Sequence, residues 1–164
     1  QEKETAMETR IDFATVAPEG TKALRSLNGY LRECSLPRQL IELVYLRISQ
    51  INGCAYCLDL HSRDLRKMGE NQQRLDCLAA WREVPFFDER ERAALAWAES
   101  LTRVDRTGAP DADYAPLLQH FSEREIVDLT FAIGNMNALN RVSIGLRMMP
   151  KERSEQVQTA ARQE

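Results

Sequence analysis

Several things are scarce in this chain, and each scarcity narrows what it can do. No apolar run approaches the roughly 20 residues that a membrane-spanning helix needs. There is no GxGxxG and no P-loop, so the sequence carries no sign of a flavin, dinucleotide or nucleoside triphosphate site. Basic residues are in slight deficit, 22 Lys and Arg against 25 Asp and Glu for a net charge of −3, which offers nucleic acid or an anionic membrane no basic patch. Sustained period-two alternation is missing, so no strand is expected. Histidine occurs only twice, and there is no HxxxH and no second CxxC to complete a four-ligand zinc set. The opening QEKETAMETR is acidic and polar, unlike a signal peptide, and a cytoplasmic protein is expected.

What is present is helical. With 164 residues and 43% hydrophobic content the chain is long enough to bury a core as one domain. We read an N-terminal arm over 1–16, where Ile11, Phe13 and Val16 offer a short extended contact. A single all-α domain spans 17–149, and a charged tail runs from 150 to 164. Helices are expected from Pro18 to about Cys34 and from Pro37 to Gln50, with Ser35 as N-cap of the second. The next helix starts near Cys54 and stops at Met68-Gly69. A short helix over 72–82 is capped by Asn71. Capping boxes at Asp88/Glu91 and Ser122/Glu125 open helices over 89–104 and 123–148, separated by a loop at Thr107–Pro110 and a short helix ending near His120. On the last helix Ile126, Leu129, Phe131, Ile133, Met136, Leu139 and Val142 are assigned to the core. Its asparagines 135, 137 and 140 need partners or water, and water is favoured for Asn137. Residues 38–45 and 124–131 echo one another in charge and apolar pattern, as a duplicated helix pair would.

The chemistry concentrates in Glu42–His61, ELVYLRISQINGCAYCLDLH. Cys54 and Cys57 are three apart and His61 four further on, so all three line one stripe of a helix. Cys54 lies at that helix's N-terminus, where unpaired N–H groups and the dipole favour an anion. A thiol so placed, or within reach of an imidazole, ionises below its usual pKa of about 8.5. Glu42 sits in a helix with almost no polar face. It serves either as a desolvated carboxylate trading protons with the site or as an ion-pair partner for Arg38 or Arg47. Cys57 beside His61 is the better proton-relayed thiolate, whereas helix-end electrostatics favour Cys54. Cys34 and Cys77 read as core residues and His120 as a surface residue at a helix C-terminus.

The spacing Glu-x11-Cys-x2-Cys-x3-His, with LRISQINGCAYCLDLHSRDL around it, resembles the AhpD-like (alkylhydroperoxidase-like) branch of the carboxymuconolactone decarboxylase superfamily. The resemblance is densest over 38–69 and extends loosely to about residue 149. It implies an all-helical bundle, a homo-oligomer (trimer or hexamer), and thiol peroxidase or disulfide reductase activity carried by Glu42, Cys54, Cys57 and His61. Better-known members place a second histidine just before the second cysteine. Here that position is Tyr56, so the proton relay is one group shorter. The expected substrate is a small peroxide or a partner's disulfide, with an external thiol reductant and no cofactor, metal, nucleic acid or membrane. Two other readings stay open: a redox sensor that forms the disulfide without turnover, and a zinc-bound module using Cys54, Cys57 and His61 with Glu42 or His120.

Overall fold

The computed structural model describes residues 8–153. The first seven residues of the expected arm and residues 154–164 of the expected tail lie outside them. Among the described residues every regular element is helical. The arm is not extended: Asp12 caps a single turn, α1 (Phe13–Val16), by accepting the N–H groups of Ala14 and Thr15. Helix α2 (Pro18–Arg32) follows, with Pro18 in its first turn where a missing N–H costs nothing.

The bundle is organised around α3 (Arg38–Asn52), in which an unbroken run from Leu40 to Leu46 is buried. Ser35 does not cap it. Pro37 holds the N-cap position with no side-chain bond, its extended backbone (ψ 131°) turning the chain into the helix. One side of α3 packs Ile41, Val44 and Ile48 against Ala94, Leu129 and Ile133. The other side packs Leu43 and Leu46 against Leu65, Leu78, Trp81 and Leu95. Each large apolar side chain buried this way contributes about 1.5–3 kcal/mol. The helix ends at Gly53 in the left-handed region (φ 70°), with Gly53 and Cys54 both donating N–H to the Ser49 carbonyl. An added Cβ there would meet nothing within 4 Å. Glycine is therefore favoured by backbone conformation rather than by space. This turn delivers the chain into α4 (Ala55–Lys67).

Asn71 caps α5 (Gln72–Cys77) as expected, but the helix does not continue to residue 82. A 3₁₀ segment, Leu78–Glu83, replaces it, kinked at Ala80 (φ −118°, ψ 34°), and this lets Leu78 and Trp81 both turn inward. The Asp88/Glu91 capping box opens α6 (Glu89–Thr102). Three single-turn helices follow: α7 (Val104–Thr107), α8 (Asp111–Tyr114) and α9 (Leu117–His120). The one short helix expected here is thus split at Pro116, whose ring nitrogen cannot donate. The Ser122/Glu125 box opens α10 (Glu123–Gly145).

Helix α10 crosses α3 through a polar seam. Asn52 donates to the side-chain carbonyls of Asn137 and Asn140, both at 3.0 Å, and Asn140 donates to Ser49 Oγ (3.1 Å). Asn135 donates to Asn28 on α2 (2.7 Å) and Asn137 to Thr102 on α6 (3.1 Å). Asn137 is therefore committed to protein partners rather than to water. Phe131, assigned to the core from its spacing, is 47% exposed. The core stripe passes through Ile126, Leu129, Ala132, Ile133 and Met136 instead.

Candidate active site

Helices α3, α4, α10 and α2 converge on the dithiol. Cys54 is the N-cap of α4, and its sulfur accepts the Cys57 N–H at 3.4 Å. The two sulfurs are 2.7 Å apart, in hydrogen-bond contact and a small side-chain rotation from the roughly 2.05 Å of a covalent bridge. Both cysteines are buried. The shared hydrogen bond outweighs burial at Cys54 and, with the Cys57 N–H and the Ser143 and Asn140 side chains, brings its thiol down to about 7. Cys57 moves the opposite way, pushed up by the bond to Cys54, by burial and by the charge on Cys54. When the pair loses its first proton, the remaining one is shared between the sulfurs and these opposite shifts favour leaving the charge on Cys54. The resting charge falls on the helix-end sulfur rather than on the sulfur nearer the histidine.

Glu42 and His61 complete the group. His61 Nδ1 lies 2.6 Å from Glu42 Oε2, and both residues are buried, Glu42 fully. Arg38 approaches the other carboxylate oxygen at 2.5 Å, one helical turn before it. That contact is an ion pair without hydrogen-bond alignment. The two roles open in the sequence, ion-pair partner and site carboxylate, are therefore filled at once, with Arg38 rather than Arg47. Arg47 instead serves the buried Glu99 (2.8 Å). Tyr45, one turn after Ile41 on the same helix, packs its ring edge-on to His61 at 5.1 Å between centroids.

Cys57, His61 and Glu42 all line one cavity of about 310 Å³, together with Tyr45 and Tyr56. Among the described residues no hydrogen bond joins His61 to Cys57; they share the space, one turn apart on α4. Cys54 faces a different opening, a cleft of about 360 Å³ shared with Arg10, Ala55, Ser143 and Met148. The sequence reading did not find Tyr45, Asn140 or Ser143. Their only sequence signal is a polar group inside an apolar helix that later meets the dithiol. Cys34 and Cys77 are each half-buried, and Cys34 Sγ contacts the Leu31 carbonyl at 3.1 Å, away from the pair.

The zinc set considered from the sequence does not assemble. Among the described residues the metal-capable grouping is Glu42, His61 and Asp64, with donor atoms within 4.8 Å of one another. The sulfurs are not part of it, and the Arg38 guanidinium already occupies Glu42. His120 ends α9 and is outside this group.

These electrostatics predict where and when the protein is alkylated. Iodoacetamide labelling should favour Cys54 and rise with pH through about 7, the value that its surroundings set. In Cys57→Ala the sulfur–sulfur hydrogen bond that contributes most to that shift is removed, so the inflection should move up toward the usual 8.5 or so of a free thiol. Peptide mapping of labelled protein over a pH series checks both points. An inflection unmoved by the substitution would assign the acidity to the helix end alone.

A family model described as "Carboxymuconolactone decarboxylase family" matches residues 18–100. YdfG of Bacillus subtilis, an uncharacterized protein, is 40% identical over 140 residues that cover 85% of this chain and 95% of YdfG. YnjA of Escherichia coli, also uncharacterized, is 32% identical over 119 residues, 68% of this chain and 65% of YnjA. Among solved structures, a protein of unknown function from Agrobacterium tumefaciens, offered as a candidate antioxidant defence protein AhpD, superposes with a TM-score of 0.85. It is 42% identical over 88% of this chain and all of its own. The debrominase Bmp8 shares the fold, with a TM-score of 0.71 at 20% identity over 84% of this chain and 74% of Bmp8.

Proposed function

Because the chain belongs to the carboxymuconolactone decarboxylase family, in its AhpD-like branch, and carries a dithiol beside a buried His–Glu pair, we propose that it is a dithiol peroxidase and disulfide reductase. The observation that carries this reading is the cavity at which Cys57, His61 and Glu42 meet, with the Cys54 sulfur 2.7 Å behind Cys57.

Cys57 faces the cavity and attacks the outer oxygen of a hydroperoxide. Its proton passes to His61, whose imidazolium is supported by Glu42 at Nδ1, and from there to the departing alkoxide. The products are an alcohol and a sulfenic acid on Cys57. Cys54, already a thiolate in contact with that sulfur, displaces hydroxide, which leaves as water with one further proton, and the disulfide closes. An external dithiol restores the enzyme. Its thiolate attacks Cys57, and Cys54 leaves first because the sulfur with the lower pKa is the better leaving group. The second thiol of the reductant then releases Cys57, and the reductant departs as its own disulfide. Arg38 holds Glu42 in place throughout. Self-association into a homo-oligomer accompanies this reading as an inference from the family alone.

The test begins with reduced protein and one equivalent of hydroperoxide. Two thiols should disappear, and mass spectrometry should place a loss of two hydrogens on the peptide holding Cys54 and Cys57. Turnover should follow when dithiothreitol is supplied. A bridge through Cys34 or Cys77 would refute the assignment. A Cys54–Cys57 bridge with no turnover would leave a redox sensor, and zinc retained in stoichiometric amount would favour the metal-bound module.

A further inference from the structure

The cavity over Cys57 has a wall that the thiol chemistry leaves unused. Arg25, Asn28 and Arg32 stand at i, i+3 and i+7 on α2, and all three line the cavity, so one stripe of that helix faces it. Among the described residues no carboxylate pairs with either guanidinium, whereas Arg38 is held by Glu42 at 2.5 Å. Arg25 is positioned over the Phe13 ring at 6.0 Å from its centroid. Three guanidiniums therefore border the space against two carboxylates. Of those, Glu42 is shared by Arg38 and His61, and Asp64 has Arg63 beside it at 4.0 Å.

A second observation points the same way. Tyr45 is 3% exposed, lines the cavity, and has a hydroxyl with no hydrogen-bond partner. Burial pushes it up to about 12, tempered by the nearby Asn135 amide, whose NH2 also donates to Asn28, so at neutral pH it is a proton donor whose own hydrogen is unaccepted. A buried hydroxyl left unpaired is costly, and a ligand acceptor would recover that cost. The remaining wall, formed by Leu60, Met136, Leu139 and Val142, is apolar.

We propose that this cavity selects substrates bearing a carboxylate. The head lies against Arg25 and Arg32 within reach of the Tyr45 hydroxyl, the hydrocarbon body lies along Leu60, Leu139 and Val142, and the reacting group sits over Cys57. The substrate class is an organic hydroperoxide with an aryl or alkyl body and an anionic end. The identity of the reacting group rests on the peroxidase reading above, but the preference for an anion does not.

Two unreactive probes of one shape separate these points: para-isopropylbenzoate and its neutral amide, titrated calorimetrically into the reduced full-length protein. The benzoate should bind about tenfold tighter or more, as charge-assisted hydrogen bonds are roughly twice as strong as neutral ones. The double variant Arg25→Gln/Arg32→Gln should erase that preference while keeping the affinity for the amide. Tyr45→Phe should weaken the benzoate several-fold with an unchanged circular dichroism spectrum. Equal affinities, tighter binding of the amide, or no binding of either probe would overturn the proposal. A parallel rate comparison uses cumene hydroperoxide and its para-carboxylate. Benzoate binding with no turnover of either peroxide defeats the peroxidase reading and leaves the anion site standing. Equal turnover without benzoate preference does the reverse.

Discussion

Cys57→Ser is expected to consume no peroxide, whereas Cys54→Ser should consume one equivalent and stop. The asymmetry follows from the two spaces that the sulfurs face. Cys57 opens on the cavity with His61 and Glu42, and without its sulfur no thiol there can attack the peroxide. Losing the nucleophile should reduce the rate by roughly 10³-fold or more. Without the Cys54 sulfur the first step survives, but nothing displaces hydroxide from the sulfenic acid. That acid should then be trappable by dimedone on Cys57 and invisible in the wild-type enzyme. Each serine hydroxyl has Asn140 or Ser143 nearby as a partner, so the fold should be retained and circular dichroism serves as the control. Dimedone labelling at Cys54 in a Cys57→Ser protein would reverse the order of attack.

His61→Ala should lower kcat by about 10²–10⁴-fold, the usual contribution of general acid–base assistance. The Glu42→Gln effect should be smaller, since the carboxylate touches no reacting atom and acts through the imidazole at 2.6 Å. Substrate affinity should change little in either variant. Added imidazole should restore part of the His61→Ala rate, because the deletion empties a buried space beside Tyr45 that the free base can enter. A structural histidine would show no such rescue. If both variants kept wild-type rates, Cys54 activated by the helix end would be sufficient for the chemistry.

The helix boundaries were legible wherever their determinants are local. Both capping boxes, the Asn71 cap and the Gly69 stop depend on residues within a few positions of one another. Ser35 failed as a cap because Pro37 reshapes the entry to α3, and Phe131 failed as a core residue because spacing alone did not fix which face of α10 is covered. The site was legible on α3 and α4, since Glu42, Cys54, Cys57 and His61 lie within twenty residues and share helical faces. The contributions of α2 and α10 were not, because Arg25, Arg32, Asn140 and Ser143 acquire a role only through packing. The echo between residues 38–45 and 124–131 has a structural counterpart. Arg38–Glu42 (2.5 Å) and Arg124–Asp128 (3.5 Å) are both i, i+4 pairs with a buried carboxylate. His61 meets the first carboxylate, and the Tyr30 hydroxyl donates to the second at 2.6 Å.

Cys54 has a double duty, one sulfur of the pair and the N-cap of α4, and in the proposed dithiol cycle that duty would set the redox poise. In the reduced form its charge is held by the Cys57 thiol, the Cys57 N–H and the helix dipole; in the disulfide that charge is gone and the helix start has lost its anion. Whatever stabilises the thiolate stabilises the reduced state, so the couple shifts toward a less negative potential, about 30 mV for each 1.4 kcal/mol. On the proposed reading the bridge is then a ready oxidant rather than a staple: it would form on meeting a peroxide and yield to the next dithiol. On that reading the cap keeps oxidising equivalents moving through the protein instead of resting in it.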